Sequence, residues 1–262
     1  FSNSASGTDM KYKIETANQS YTAGTTALND SSSGAHVGTA IADATSSTAQ
    51  KKFGTASLYF DGTGDYITYP AHADFNSIGT GDYTIESWVY LTNTTGNQNH
   101  DYVMGTNSWD GSNNYSWFLG MSGDGSSGTS RKFQFPLYNG GSNPGLLSPL
   151  TYAPNQWYHI AVVRSGSTTT MYVNGTAVQT LAGNHHLGGT GVLQVGMGHG
   201  VSPWEGYIDE LRISNTARYT GAFTPSTTAF TSDANTKLLL HGEVGAATGK
   251  QTRVHATSLA WA

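Results

Sequence analysis

The chain has 262 residues, 37% apolar and only 11% charged, with a formal charge of −5 and no cysteine. That length suits one large domain, and the apolar content together with 33 Gly excludes a chain disordered throughout. Scattered Lys and Arg leave no nucleic-acid footprint, the lack of Cys excludes a disulfide framework and a thiolate zinc site, and no apolar run reaches the roughly 20 residues that cross a bilayer. Ser, Thr, Gly, Asn and Tyr replace the missing charge, a mixture that suits strands and turns. The opening FSNSASG has no initiator Met and no basic or apolar leader region, so the chain is expected to be processed or a piece of a longer one.

Residues 1–9 read as an N-terminal arm and MKYKIE (10–15) as a first strand. Strand-like runs follow at 53–60, 65–70, 82–91, 115–121, 131–138, 156–164, 168–175, 176–181, 191–198, 206–213 and 237–242, separated by Gly/Ser/Asn clusters. Asn174-Gly175 between two β-rich runs predicts a two-residue hairpin turn. QWYHIAVVR is apolar on both faces, as in the middle of a packed or ligand-covered sheet. Residues 214–220 allow one helical turn, and 243–262 read as a C-terminal arm. Many short strands without a helical period predict an all-β antiparallel sandwich over 10–242.

Four ordered segments, KKFGTASLYFDGTGDYITYP, GDYTIESWVYL, NQWYHIAVVRSGSTTTMYVNGTAV and GYIDELRISNTARYTGAFTPS, resemble the concanavalin A-like lectin/glucanase superfamily in its laminin-G-like or pentraxin-like branch. The run from ISNTARYT to LLLHGE also resembles modules of marine bacteriophage virion and fibre proteins. The resemblance implies a two-sheet jelly roll whose concave face and rim loops bind carbohydrate or protein, often with a calcium ion. Fold alone does not choose among enzyme, lectin and structural module.

Glycoside hydrolysis generally needs two carboxylates. The Glu-x-Asp-x-Glu run of the glucanases is missing, and Glu15, Glu86, Glu205, Glu210 and Glu243 include no two on one short strand. Glu86 shares a strand face with Trp88 and Tyr90 but matches a structural Glu of the family strand; an enzymatic alternative would pair it with Glu205 or Asp101. Neither a Gly-x-Ser-x-Gly elbow nor a Cys nucleophile is present. Calcium takes six to eight oxygens. NDSSSG offers Asp30, FDGTGDY offers Asp61 and Asp65, and YIDEL offers Asp209 on the face of Tyr207 and Leu211. Asp30, Asp65 and Asp209 are the expected ligands; the alternative for Asp209 is an acceptor of backbone N–H groups from a neighbouring loop.

Lectin sites pair aromatic platforms with polar loop residues. Residues 97–118 have that composition, with Trp109, Tyr115 and Trp117 beside Asn107, Asp110, Asn113 and Asn114. A second loop pair brings His185, His186, His199 and Trp204. The expected ligand contacts are Trp109, Asp110, Asn113, Tyr115, His185, His186, His199 and Trp204; a transition-metal role for the three His is set aside for lack of a carboxylate. Asn18, Asn29, Asn93, Asn114 and Asn174 lie in glycosylation sequons that this composition produces by chance. The function expected is a non-catalytic, surface-displayed binding or structural module of a phage particle, contacting glycan or neighbouring subunits, extracellular and free to form homo-oligomers. The alternative is a glycoside hydrolase on the same sandwich. The apolar end LAWA marks the C-terminal arm as the better assembly anchor.

Overall fold

The computed structural model describes residues 28–92, 100–107, 116–122, 131–137, 144–189, 191–198 and 203–243. They form β1 (Thr39–Ile41), β2 (Thr45–Ser47), β3 (Ser57–Asp61), β4 (Tyr66–Tyr69), α1 (Ala73–Asn76), β5 (Tyr83–Leu91), β6 (Asp101–Asn107), β7 (Phe118–Ser122) and β8 (Lys132–Pro136). The chain continues through β9 (Gly145–Leu147), β10 (Trp157–Ser165), β11 (Thr168–Val173), β12 (Thr176–Ala182), β13 (Val192–Val195), β14 (Glu205–Ser214) and β15 (Thr236–Leu240). Each of the eleven expected runs from 53 to 242 contains a strand. The helical turn does not fall at 214–220, where Ser214 ends β14 and 215–220 carry neither helix nor strand, but at Ala73–Asn76. The arms 1–9 and 244–262 and the run 10–15 lie outside the described residues.

Two antiparallel sheets pack face to face: β1-β4-β13-β6-β7-β8-β9, and β12-β11-β10-β5-β14-β3-β2 with β15 also on β14. Alternation sends Ile85, Val89, Leu91, Ile160 and Val162 of the second sheet inward, against Ile67, Tyr69, Val103, Leu119 and Phe133 of the first, all buried. Asn174 and Gly175 both have positive φ, 48° and 79°, as a two-residue hairpin between β11 and β12 requires. At Gly206 (φ 144°) a Cβ would strike the Tyr90 carbonyl oxygen, so only glycine lets β14 lie this close to β5.

The outer face of the second sheet is also covered. Residues 215–235, between β14 and β15, lay Ala217, Tyr219 and Phe223 on Ala161, Val163 and Tyr172, and Phe230 on Trp88 and Leu239. Tyr219 stacks on Phe223 with centroids 3.5 Å apart, and Arg218 closes the segment by donating two 2.9 Å bonds to Asp233. Beneath this cover lies Glu86. Its Oε1 accepts from Arg212 Nε at 2.8 Å; its Oε2 accepts from Tyr219 Oη at 2.8 Å and pairs with His159 Nε2 at 3.2 Å. Burial alone would raise the Glu86 pKa, but His159, Arg212 and Tyr219 outweigh it and the net shift is downward.

Glu86→Ala leaves Arg212 buried without its anion. It is expected to cost about 3–5 kcal/mol, read as a lower denaturant midpoint in chemical unfolding.

Candidate functional site

Strand register places one row of aromatic rings across four strands on the outer face of the second sheet. Tyr59 of β3 lies opposite Tyr207 of β14, Tyr207 opposite Tyr90 of β5, and Tyr90 opposite Trp157 of β10. Ring centroids step by 4.9, 5.8 and 5.5 Å, near the about 4.8 Å spacing of the strands themselves. All four side chains are half-buried, whereas Trp88 and His159 one row further along lie buried under the 215–235 cover and Lys52, whose Nζ sits 3.8 Å from the Trp88 ring centroid. The uncovered row is a strip of aromatic faces held from below by hydrogen-bonded strands. Of these four rings the sequence places only Tyr90 on a common face, with Glu86 and Trp88 of the same strand; the other three share its row through register, which no local pattern encodes.

The row ends beside an acidic rim. Asp61 closes β3, Asp65 precedes β4, Asp43 follows β1, and Glu205 opens β14 opposite Asp61. Carboxylate oxygens of Asp43, Asp61 and Asp65 lie within 4.8 Å of one another. Asp65 Oδ2 accepts the Asp61 amide at 2.8 Å, but its buried Oδ1 has no partner. Burial raises the Asp65 pKa against that backbone bond, and the charges of Asp61 and Asp43 raise it further. Tyr59 is also raised, by burial first and then by Tyr207, Asp61, Asp65 and Glu205, which places the ring row within reach of this field.

The remaining expected calcium ligands do not join that cluster. Asp30 is saturated: its carboxylate accepts from the amides of Ser32, His36 and Leu239 at 2.8, 3.1 and 2.8 Å and from Ser32 Oγ at 2.6 Å, tying the turn before β1 to β15. Asp209 accepts from the amides of Lys52, Phe53 and Glu210 at 2.8, 3.1 and 2.9 Å. Nor does it share a face with Leu211. A β-bulge between Asp209 and Arg212, with Glu210 at φ 50°, returns Leu211 to the core and leaves Asp209 on the outer face. Burial pushes the Asp209 pKa up to about 7 against the Lys52 and Phe53 amides, with the Glu210 charge adding to the rise.

The expected glycan loops separate. β13 enters beside the ends of β4 and β6 and leaves beside the start of β6, so residues 183–189 and 203–204 sit at opposite rims. His185 and His186 are half-buried at the first rim, where the His185 carbonyl accepts from Arg164 Nη1 at 2.7 Å. Trp204 is fully buried in the core and presents no surface to a ligand. Trp117 is likewise core, and Asp101–Asn107, read as part of a loop, is the strand β6 at the middle of the first sheet. Trp109, Asp110, Asn113, Tyr115 and His199 lie outside the described residues.

A family model described as the concanavalin A-like lectin/glucanases superfamily matches residues 61–220, well over half of the chain. The chain belongs to that superfamily. Comparison with curated proteins finds no match. Among solved structures, domain 4 of a GH43 extracellular arabinanase from Geobacillus stearothermophilus, in complex with arabinotriose, is similar at 20% identity and TM-score 0.52, over 76% of this chain and 90% of that one. The enzymatically active domain of bacteriophage CBA120 tailspike protein 2 is similar at 15% identity and TM-score 0.57, over 78% of this chain and 32% of that one. The binding domain of Paraclostridial mosquitocidal protein 1 follows at 12% and 0.55, over 71% and 45%. The chain thus spans under half the length of the last two, and these likenesses show the fold. No helix among the described residues is long and apolar enough to cross a membrane.

Within a superfamily that includes glucanases, Glu86 is not brought together with either carboxylate considered as its partner, although Asp101 and Glu205 both lie within reach of Arg131. Glu86 is sealed beneath the cover of the second sheet, while Asp101 opens β6 of the first, where it is ion-paired with buried Arg131. Burial pushes the Asp101 pKa up to about 6 against Arg131, and Glu205 is raised by burial, again against Arg131.

The Asp209 shift sets a pH dependence. Its native pKa near 7 exceeds the usual 3.8 of an unfolded Asp, so the native state holds the proton more tightly and stability falls as pH rises between those values. Asp209→Asn does not titrate. Its stability relative to wild type is therefore expected to improve steadily from pH 4 to pH 7 in urea unfolding; a constant difference would contradict the shift.

Proposed function

We propose that this chain is a non-catalytic glycan-binding module displayed on an extracellular surface, and that it takes a glycan along the Tyr59–Tyr207–Tyr90–Trp157 row. The observation that carries this reading is the row itself. Sugar rings offer apolar C–H faces that pack on aromatic faces, and the row is a strip of four such faces with polar groups at its edge. Four aligned, half-exposed aromatic residues mark a contact surface rather than scattered surface apolar groups. The carbohydrate complex of the arabinanase domain with the same fold supports the class of ligand.

Calcium enters the proposal at one place. Asp61 and Asp65, flanking the Gly-rich turn between β3 and β4, and Asp43, after β1, bring carboxylate oxygens together, and the unpartnered Asp65 Oδ1 fits a hard cation, whereas both oxygens of Asp30 and of Asp209 are already engaged by amides of the chain. When bound, the ion would neutralise the rim and offer coordination to sugar hydroxyls. Display on a phage particle is the finer part of the reading; it rests on the resemblance of the segment from ISNTARYT to LLLHGE and is tested by proteomics of purified particles.

A glycan array, run with calcium and with chelator, tests the binding. Tyr90→Ala and Tyr207→Ala are each expected to weaken a positive signal five- to thirtyfold, the equivalent of about 1–2 kcal/mol for a buried aromatic contact. Trp109→Ala tells the row from the rim loop: loss there with intact Tyr90→Ala binding would move the site to the rim. Calcium is expected to raise the melting temperature, and Asp65→Asn to abolish that rise. Reducing-sugar release from a bound polysaccharide would overturn the non-catalytic reading.

A further inference from the structure

The rim opposite the acidic cluster carries a second set of donors. β1 begins and β4 ends at this rim, since Thr39 pairs with Thr68, and the adjoining segments bring His36, His72 and Asp74 together. Asp74 Oδ2 is 3.0 Å from His36 Nε2 and 3.3 Å from His72 Nδ1. The two imidazoles meet edge to face with centroids 4.5 Å apart, and His36 packs edge-on against buried Phe75. We propose that His36, His72 and Asp74 form a zinc site.

The distances are those a small N/O-ligated ion needs. Tetrahedral zinc with bonds of about 2.0–2.1 Å sets neighbouring donor atoms about 3.3 Å apart. Two of the three edges already meet that requirement, and the third closes by rotation of the more exposed His72 ring, whose side chain is 52% accessible against 11% for His36.

The bonding also leaves a cation wanting. His72 Nδ1 accepts the Asp74 amide at 3.2 Å, so in that state it carries a lone pair, yet it faces a carboxylate oxygen of the same Asp74. Two acceptors in contact repel unless a proton or metal ion lies between them. An ion drawing on Nδ1 would displace the amide bond, and that amide, at an exposed chain turn, finds water instead. At Gly34 a Cβ would lie 2.6 Å from His36 Nε2, so any other residue there would crowd the donor atom, although the backbone does not require glycine. The partly open His72 side leaves room for water as a fourth ligand. Imidazole and carboxylate donors select zinc over calcium, which prefers an all-oxygen set.

The site is distinct from the acidic rim, with β1 and β4 between them, and it joins the turn before β1 to the connection after β4. Zinc there would fasten an edge strand of the first sheet.

The test is isothermal titration of the tag-free, chelator-stripped full chain with zinc in excess calcium, which competes for the all-carboxylate acidic rim. One zinc per chain with micromolar or tighter affinity is expected, with a rise in melting temperature; cobalt in its place should give the visible absorption of a tetrahedral N/O site. His72→Asn keeps a good helix-capping acceptor and removes the imidazole, and Asp74→Asn removes the anion. Each should fold as wild type without metal and weaken zinc binding at least tenfold. Absence of zinc uptake by wild type, or equally tight uptake by both variants, would overturn the assignment.

Discussion

The Glu86 carboxylate, buried on the outward side of β5, is the interaction on which the architecture turns. A β-sandwich sheet ordinarily faces solvent on its outer side. Here that side carries an ionised group with Arg212, Tyr219 and His159 arranged to bond it, and Tyr219 belongs to the 215–235 segment that shuts out water. The anion fixes the cover, and the cover makes the anion's burial tolerable through charge-assisted bonds. Because the segment roofs the sheet from the Thr84 row to the Trp88 row and no further, the row of Tyr59, Tyr207, Tyr90 and Trp157 is left open. The candidate ligand surface is the part of the sheet that the Glu86 network does not cover.

The bulge in β14 serves the same layout. The extra residue between Asp209 and Arg212 puts Arg212 opposite Glu86 while leaving Tyr207 opposite Tyr90, so one irregularity serves both the buried ion pair and the aromatic row. Glu210, the residue inserted, turns its carboxylate to the Phe230 amide at 2.6 Å and to His241 Nδ1 at 2.7 Å, tying the far end of the cover to β15. Without the bulge, alternation would turn either Arg212 or Tyr207 inward.

Strands with two-residue alternation were legible in the sequence because their period is local: β3, β4, β5, β7, β8 and β10 to β15 fell where apolar runs predicted them. β1, β2 and β9 were not, being three residues long, and DYVMGTN of β6 was hidden inside a Gly- and Asn-rich stretch whose composition reads as loop. The face of Asp209 was misjudged because a bulge breaks the alternation used to assign it. The aromatic row was legible in one ring of four, since it exists only in the register of four strands. His36 and Asp74 were not legible at all: they are 38 residues apart, and the turn containing Asp30 and the short helix α1 bring them together.

Charge narrows what the open row can accept. Asp43, Asp61, Asp65 and Glu205 stand at its edge on a chain of net charge −5, and at physiological ionic strength their field is screened only over about 8 Å. Within that distance of the Tyr59 end, a sialylated or sulfated glycan meets repulsion that stacking on four rings must offset, whereas a neutral polysaccharide meets acceptors for its hydroxyls. A divalent ion at Asp65 reverses the balance at that end alone. Trp157, at the opposite end of the row, lies beyond the strands that carry the acidic rim. The row is therefore electrostatically polar along its length. On the proposed reading, that asymmetry would give a glycan a preferred direction: its neutral portion at Tyr59 and any anionic substituent toward Trp157, unless a cation at the rim removes the distinction.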